Sequence, residues 1–174
     1  MKVDYINPFI ESVYELFSAK LNCEVVKGEV GVFWEPPYNS DIVALIGLSG
    51  PARGTVALSF PVSTALSMVG RLKDTDVRIV DDMVKDGVAE LVNIVALCAK
   101  SKLNDGSTIP IDLSLPTVVR GTHYKVDYPT RTAWLEVPFK SDLGPFSLRV
   151  TFERTKEEEA HAHESHASHE SGDG

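Results

Sequence analysis

The sequence predicts an α+β domain: a mostly antiparallel sheet with one long helix and an N-terminal helix packed on it. Three observations carry this. Apolar residues recur every three or four positions in two long stretches, residues 5–21 and 79–103. β-Branched runs follow one another with few helices between them, which favours antiparallel pairing over parallel crossovers. Finally, 174 residues with 43% hydrophobic content suffice for one substantial core and are short for two.

From Tyr5 to Leu21, the positions Ile6, Phe9, Ile10, Val13, Leu16, Phe17 and Leu21 form one buried helical stripe, and Asn7-Pro8 suits the first turn. Cys23 to Phe33 alternates loosely around Val25, Val26 and Val30 and predicts a strand, closed by Pro36-Pro37 and Asn39. Asp41–Leu48 and Gly54–Phe60 are apolar runs separated by Ser49-Gly50-Pro51-Ala52-Arg53, which predicts a hairpin. After Pro61, Ser63 is placed as the cap of a short helix carrying Ala65, Leu66, Met68, Val69 and Leu72. A longer helix is expected from about Ile79 to Leu103, with Val80, Val84, Val88, Leu91, Val95 and Cys98 at helical spacing and Asn104-Asp105-Gly106 as its stop. Ile111–Val119, Thr130–Pro138 and Pro145–Phe152 predict three further strands.

Composition narrows the function classes. The formal net charge is −8, but residues 157–174 hold six acids and no Lys or Arg, so residues 1–156 carry 19 acids against 17 bases. Without a basic stripe, the electrostatic footprint of a nucleic-acid binder is missing. No apolar run approaches the ~20 residues that span a bilayer, and the N-terminus lacks a basic region followed by an apolar one. A cytoplasmic protein with no membrane partner is expected. Cys23 and Cys98 lie far apart among apolar neighbours and read as buried thiols in a reducing compartment. The domain is expected over residues 1–153, with 154–174 a disordered acidic tail poor in large apolar groups. His161, His163, His166 and His169 in that tail are irregularly spaced with no fold to hold them, so no metal site is assigned; His123 stands alone near a strand end.

On the long helix each residue advances about 100°, so Asp86, Glu90 and Asn93 fall within roughly 60° of one another, opposite Val84, Val88, Leu91 and Val95. A carboxylate beside an amide is ordinary on a solvated face, but Asn is a poor mid-helix residue, since its amide competes for backbone bonds. The longer pattern is specific: Asp86, three residues, Glu90, two residues, Asn93, twenty-two residues, Pro116. With the segment Tyr5-Ile6-Asn7-Pro8-Phe9-Ile10 and the run Gly54-Thr55-Val56-Ala57-Leu58-Ser59-Phe60-Pro61, it resembles the CheC/CheX/FliY chemotaxis phosphatases over nearly all of residues 1–153. Relatives of the CheC type carry two such motifs. In the first helix here, Glu11 is followed three positions later by Tyr14 and Glu15 by Ser18, so neither supplies the Asn and the CheX branch fits better.

The resemblance implies hydrolysis of the aspartyl-phosphate of a response-regulator receiver domain of CheY type. Asn93 would orient the attacking water, and Glu90 would pair with the receiver's active-site lysine. Asp86 would support docking, and Pro116 would shape the neighbouring strand as a structural member of the motif. The receiver would supply its own Mg²⁺, leaving this chain with no cofactor or metal of its own, and a homodimer is implied. Two other classes compete: a non-catalytic module that docks a receiver on the same face, and a metal-responsive protein using the His-rich tail, for which the body offers no supporting ligands.

Overall fold

A computed structural model of the chain describes residues 3–35, 39–103, 110–126 and 133–154. After a 3₁₀ turn at Val3–Ile6, the elements are α1 (Asn7–Ala19), β1 (Val25–Lys27), β2 (Gly31–Phe33), β3 (Asn39–Ser49), β4 (Ala52–Phe60), α2 (Val62–Lys73), α3 (Asp82–Leu103), β5 (Asp112–Leu113), β6 (Thr117–Tyr124), β7 (Trp134–Ser141) and β8 (Phe146–Arg154). Among the described residues the strands form one sheet in the order β1-β7-β8-β4-β3-β5, with β2 also on β7 and β6 also on β3. All of its pairings are antiparallel. This is the α+β architecture expected, with α1 packed on α3.

The predicted hairpin forms around Gly50-Pro51, where Gly50 takes φ 96°, a left-handed conformation that glycine adopts without a side-chain clash. Its register pairs Ile42 with Phe60 and Leu48 with Gly54. Ile42, Ala44, Ile46, Val56, Leu58, Phe60, Leu148 and Val150 thereby join a single core beneath the helices. From α1, Phe17 stacks on Phe146 at 4.8 Å between ring centres, and Phe146 stacks on Phe139 of β7 at 5.1 Å. These aromatic contacts fix α1 over the β7–β8 end of the sheet.

Several boundaries differ from the sequence reading for identifiable reasons. The segment 23–33 is two short strands, because Pro138 of β7 lacks an N–H on the edge that faces them; Gly28 donates to the Pro138 carbonyl at 2.8 Å, and the ladder breaks there. Likewise 111–119 is divided into β5 and β6. Between them the Ser114 hydroxyl accepts from the Gly47 N–H at 2.8 Å, taking the place of a backbone partner, and Pro116 lies in this break. The strand expected at 130–138 begins at Trp134, and its earlier part lies outside the described residues. The helix stop at 104–106 and the tail from residue 155 also lie outside them.

Helix starts differ from those expected where a carboxylate, and not apolar spacing, decides the first turn. Asp81 accepts from the Val84 N–H at 3.1 Å and starts α3 at Asp82, so Ile79 and Val80 precede the helix. Ser63 does not cap α2; the cap is Asp41, twenty-one residues earlier, which accepts from the Val62 N–H at 3.0 Å. Both cysteines are free and only partly buried, a correction to their expected full burial.

The helix α3 is held on one side by the sheet and on others by α1 and α2, burying Val84, Gly87, Val88, Leu91, Val92, Val95, Ala96 and Ala99. A fully buried Val or Leu contributes about 1.5–3 kcal/mol, so this face accounts for a large part of the helix's fixity. Gly87 permits the closest approach: a Cβ there would lie 2.6 Å from Val69 Cγ2 and 3.2 Å from Val69 Cβ, on α2. A bulkier residue would push the helices apart. Gly87→Val is therefore expected to lower stability by about 1–3 kcal/mol, read as a reduced urea midpoint at unchanged m-value.

Candidate active site on helix α3

With one side of α3 buried, Asp86 and Glu90 are exposed and Asn93 is half-buried along the side left open. Helical geometry thus brings all three predicted positions onto one surface, and successive placement at 86, 90 and 93 spaces them by about 6 and 4.5 Å along the axis. Pro116 is on a different element, the β5–β6 break, and contributes no polar side-chain group to this surface.

Glu90 is not solitary. Its Oε2 lies 2.8 Å from Lys73 Nζ, which projects from the last turn of α2, and the two side chains remain 44% and 38% exposed. The carboxylate is therefore already arranged to receive an ammonium group, yet remains open to solvent and to a competing partner. Asn93 and Asp86 have no hydrogen-bond or ion-pair partner among the described residues. The Asn93 amide thus keeps both its carbonyl acceptor and its NH₂ donors available.

The opposite fate befalls the acidic residues of α1. Lys102 of α3 lies 2.8 Å from Glu15 and 3.6 Å from Glu11, tying the two helices together at their edge. Hydrogen bonding to Glu15 raises the Lys102 ammonium above its ordinary value, against a smaller opposing effect of burial. The α1 carboxylates at the positions considered for a second motif are thus engaged in holding the helix pair. No comparable amide accompanies them, since Tyr14 and Ser18 occupy the positions three residues on.

Sequence reasoning missed Lys73 and Lys102. A lysine in the last turn of a helix has a sufficient local explanation in the helix dipole, and that explanation conceals a tertiary role. Lys73 meets Glu90 across the α2–α3 contact, in which Gly87 of α3 packs against Val69 of α2. Among the described residues no three His, Cys, Asp or Glu side chains converge as a metal-binding group, and His123 is exposed with φ 50° near the end of β6. No helix among the described residues is long and apolar enough to cross a membrane.

A carboxylate and an unpartnered amide thus lie one turn apart on an open helix face backed by an antiparallel sheet. The family model described as chemotaxis phosphatase CheX matches residues 42–140, more than half of the chain, and the chain belongs to that family. The CheY-P phosphatase CheX of Thermotoga maritima is 28% identical over 127 residues, covering 72% of this chain and 81% of that protein. A CheC-like superfamily protein from Shewanella sp. PV-4 is 28% identical and superposes with a TM-score of 0.78, covering 88% of this chain and 99% of that one. The CheX of a CheX-CheY-BeF3-Mg²⁺ complex from Borrelia burgdorferi shares the fold with a TM-score of 0.72 at 22% identity, covering 88% and 100%.

Proposed function

We propose that this chain hydrolyses the aspartyl-phosphate of a CheY-type receiver domain, with Asn93 acting on the attacking water and Glu90 on a receiver lysine. The observation that carries the reading is the pairing on one open helix face of an unpartnered amide, Asn93, with a carboxylate, Glu90, that already holds an ammonium at 2.8 Å. Membership of a phosphatase family and its CheY-P phosphatase relative supply the substrate class.

In the reaction, a water attacks phosphorus in line and the P–O bond to the receiver aspartate breaks. The aspartate leaves as a carboxylate, and the proton of the water passes to the phosphate product. The Asn93 carbonyl accepts a hydrogen bond from this water, and its NH₂ can donate to a phosphoryl oxygen without setting a negative charge beside an anion. Fixed placement converts an encounter with solvent into an oriented attack. The Mg²⁺ belongs to the receiver, as part of the substrate; Asp86, on the same surface, supports docking.

Lys73 enters this scheme as the ammonium that Glu90 exchanges for the receiver's lysine. An exposed pair of this kind contributes about 0.2–1 kcal/mol. Exchange is therefore inexpensive, while Glu90 stays oriented before the partner arrives. The homodimer implied by the family resemblance also belongs to this proposal. It is supported by β6, whose only strand partner among the described residues is β3, leaving its other edge available for a second copy. Light scattering is expected to give twice the 19.0 kDa chain mass, and a monomer at all concentrations would refute it.

The test is direct: phosphorylated receivers are mixed with the chain, and loss of aspartyl-phosphate is followed against spontaneous decay. Asn93→Ala is expected to lower kcat by about a hundredfold or more while altering stability by less than about 1 kcal/mol. Retained turnover would remove Asn93 from the chemistry, and binding without turnover by the wild type would leave a docking module. Lys73→Ala is expected to tighten binding of a receiver carrying a stable phosphoryl mimic by about 1.4- to 5-fold. Weaker binding would mean that Lys73 aids docking and does not compete with it.

A further inference from the structure

The exposed side of α3 is not uniformly polar. Met83 is 37% exposed and Leu97 49% exposed, each seven residues from Glu90, one on either side. At about 100° per residue, seven positions return to within ~20° of the starting direction. Met83, Glu90 and Leu97 therefore form a row about 21 Å long with the carboxylate at its centre and Asn93 beside it. Ile79, three residues before the helix begins, is 70% exposed at the Met83 end.

Single exposed apolar residues need no special cause, but this arrangement is not scattered. The buried side of α3 is apolar because the core requires it. On the open side, the core makes no such demand, and Lys85, Asp86 and Ser101 follow the ordinary polar preference. The exceptions fall in line with Glu90, two turns away in each direction.

We propose that Met83 and Leu97 are apolar anchors for the phosphorylated receiver domain, seated on its surface to either side of its phosphoaspartate pocket. This rests on the catalytic reading of Glu90 and Asn93, and the occupant follows from it. A receiver that places its lysine at Glu90 and its phosphoryl group at Asn93 must lie along the middle of α3, where its rim reaches both ends of a 21 Å row. The electrostatic pair sets orientation and is screened by salt, whereas burial of the two anchors supplies a contribution that salt does not screen. Met, with its flexible and polarisable thioether, suits a surface that must fit the rim of a separately folded partner. The receiver is accordingly expected to carry apolar residues flanking its active-site pocket about 21 Å apart.

The test uses the full chain with receiver domains loaded with beryllofluoride and Mg²⁺ to read Kd, and with the same receivers phosphorylated to read kcat and KM, taking the receiver that wild type binds most tightly. Met83→Ser and Leu97→Gln, both at exposed positions, are compared with wild type, with the double variant and with Glu90→Ala at two salt concentrations. Each anchor variant is expected to raise Kd and KM about fivefold with kcat unchanged, and the double variant about 25-fold, since distant sites add. These losses should persist at high salt, while the loss in Glu90→Ala shrinks. Wild-type affinity in a folded double variant, or a fall in its kcat without a change in KM, would overturn the anchors while leaving the catalytic reading intact. If wild type bound and hydrolysed no receiver, the catalytic reading would fail and the anchors with it. If the double variant turned a dimer into a monomer while binding receiver normally, the row would be a contact between copies of this chain, and the proposal would again be wrong.

Discussion

Burial of one side of α3 against the sheet, α1 and α2 is the constraint on which the rest of the molecule depends. Because Val84, Val88, Leu91 and Val95 must face inward, rotation of the helix about its axis is not available, and the direction of every outward residue follows. The hairpin β3–β4 and the strands β7–β8 matter to function through this one requirement: they supply the apolar floor on which the helix rests. The contact at Gly87 extends the same logic sideways. It limits how near α2 can come at Val69, on the helix that also carries Lys73 to Glu90.

The two lysines of this helix layer illustrate how similar ion pairs acquire different meanings from their positions. Lys102 bridges two carboxylates of a neighbouring helix and closes the α1–α3 seam. Lys73 meets a carboxylate that lies in the middle of an otherwise open face. Both contacts are exposed enough for solvent to weaken them. On the proposed reading weakness suits the second case, because a group that is to change partners cannot be held tightly by the first.

The fold was legible where periodicity alone decides the outcome. The stripes of α1 and α3 and the alternation in β3 and β4 each state which side is buried, so the elements and their packing could be read directly. What escaped reading was non-local. Asp41 caps a helix twenty-one residues away, and Pro138 interrupts strands more than a hundred residues earlier in the chain. No window of sequence contains both partners of such contacts. At the site, spacing put Glu90, Asn93 and Asp86 on one helix face, and only the longer pattern running to Pro116 singled them out as candidates, whereas Lys73 lies on another helix. The local signal at Asp81 was present and was outweighed by the apolar Ile79 and Val80, although a carboxylate three residues before the first buried valine is the stronger mark of a helix start.

Placing the two candidate groups on a continuous helix also turns the backbone into a measuring rod. The interval between the carboxylate at 90 and the amide at 93 is three residues' rise, about 4.5 Å, maintained by the helix's own hydrogen bonds and not by a loop. Such a gauge is insensitive to side-chain exchange around it but intolerant of any change in count. One residue inserted between the two would swing the amide through about 100°, toward a neighbouring element or away from the partner, even if every side chain were retained. On the proposed reading, the number of residues separating the two groups is therefore fixed more strictly than the identity of the side chains around them.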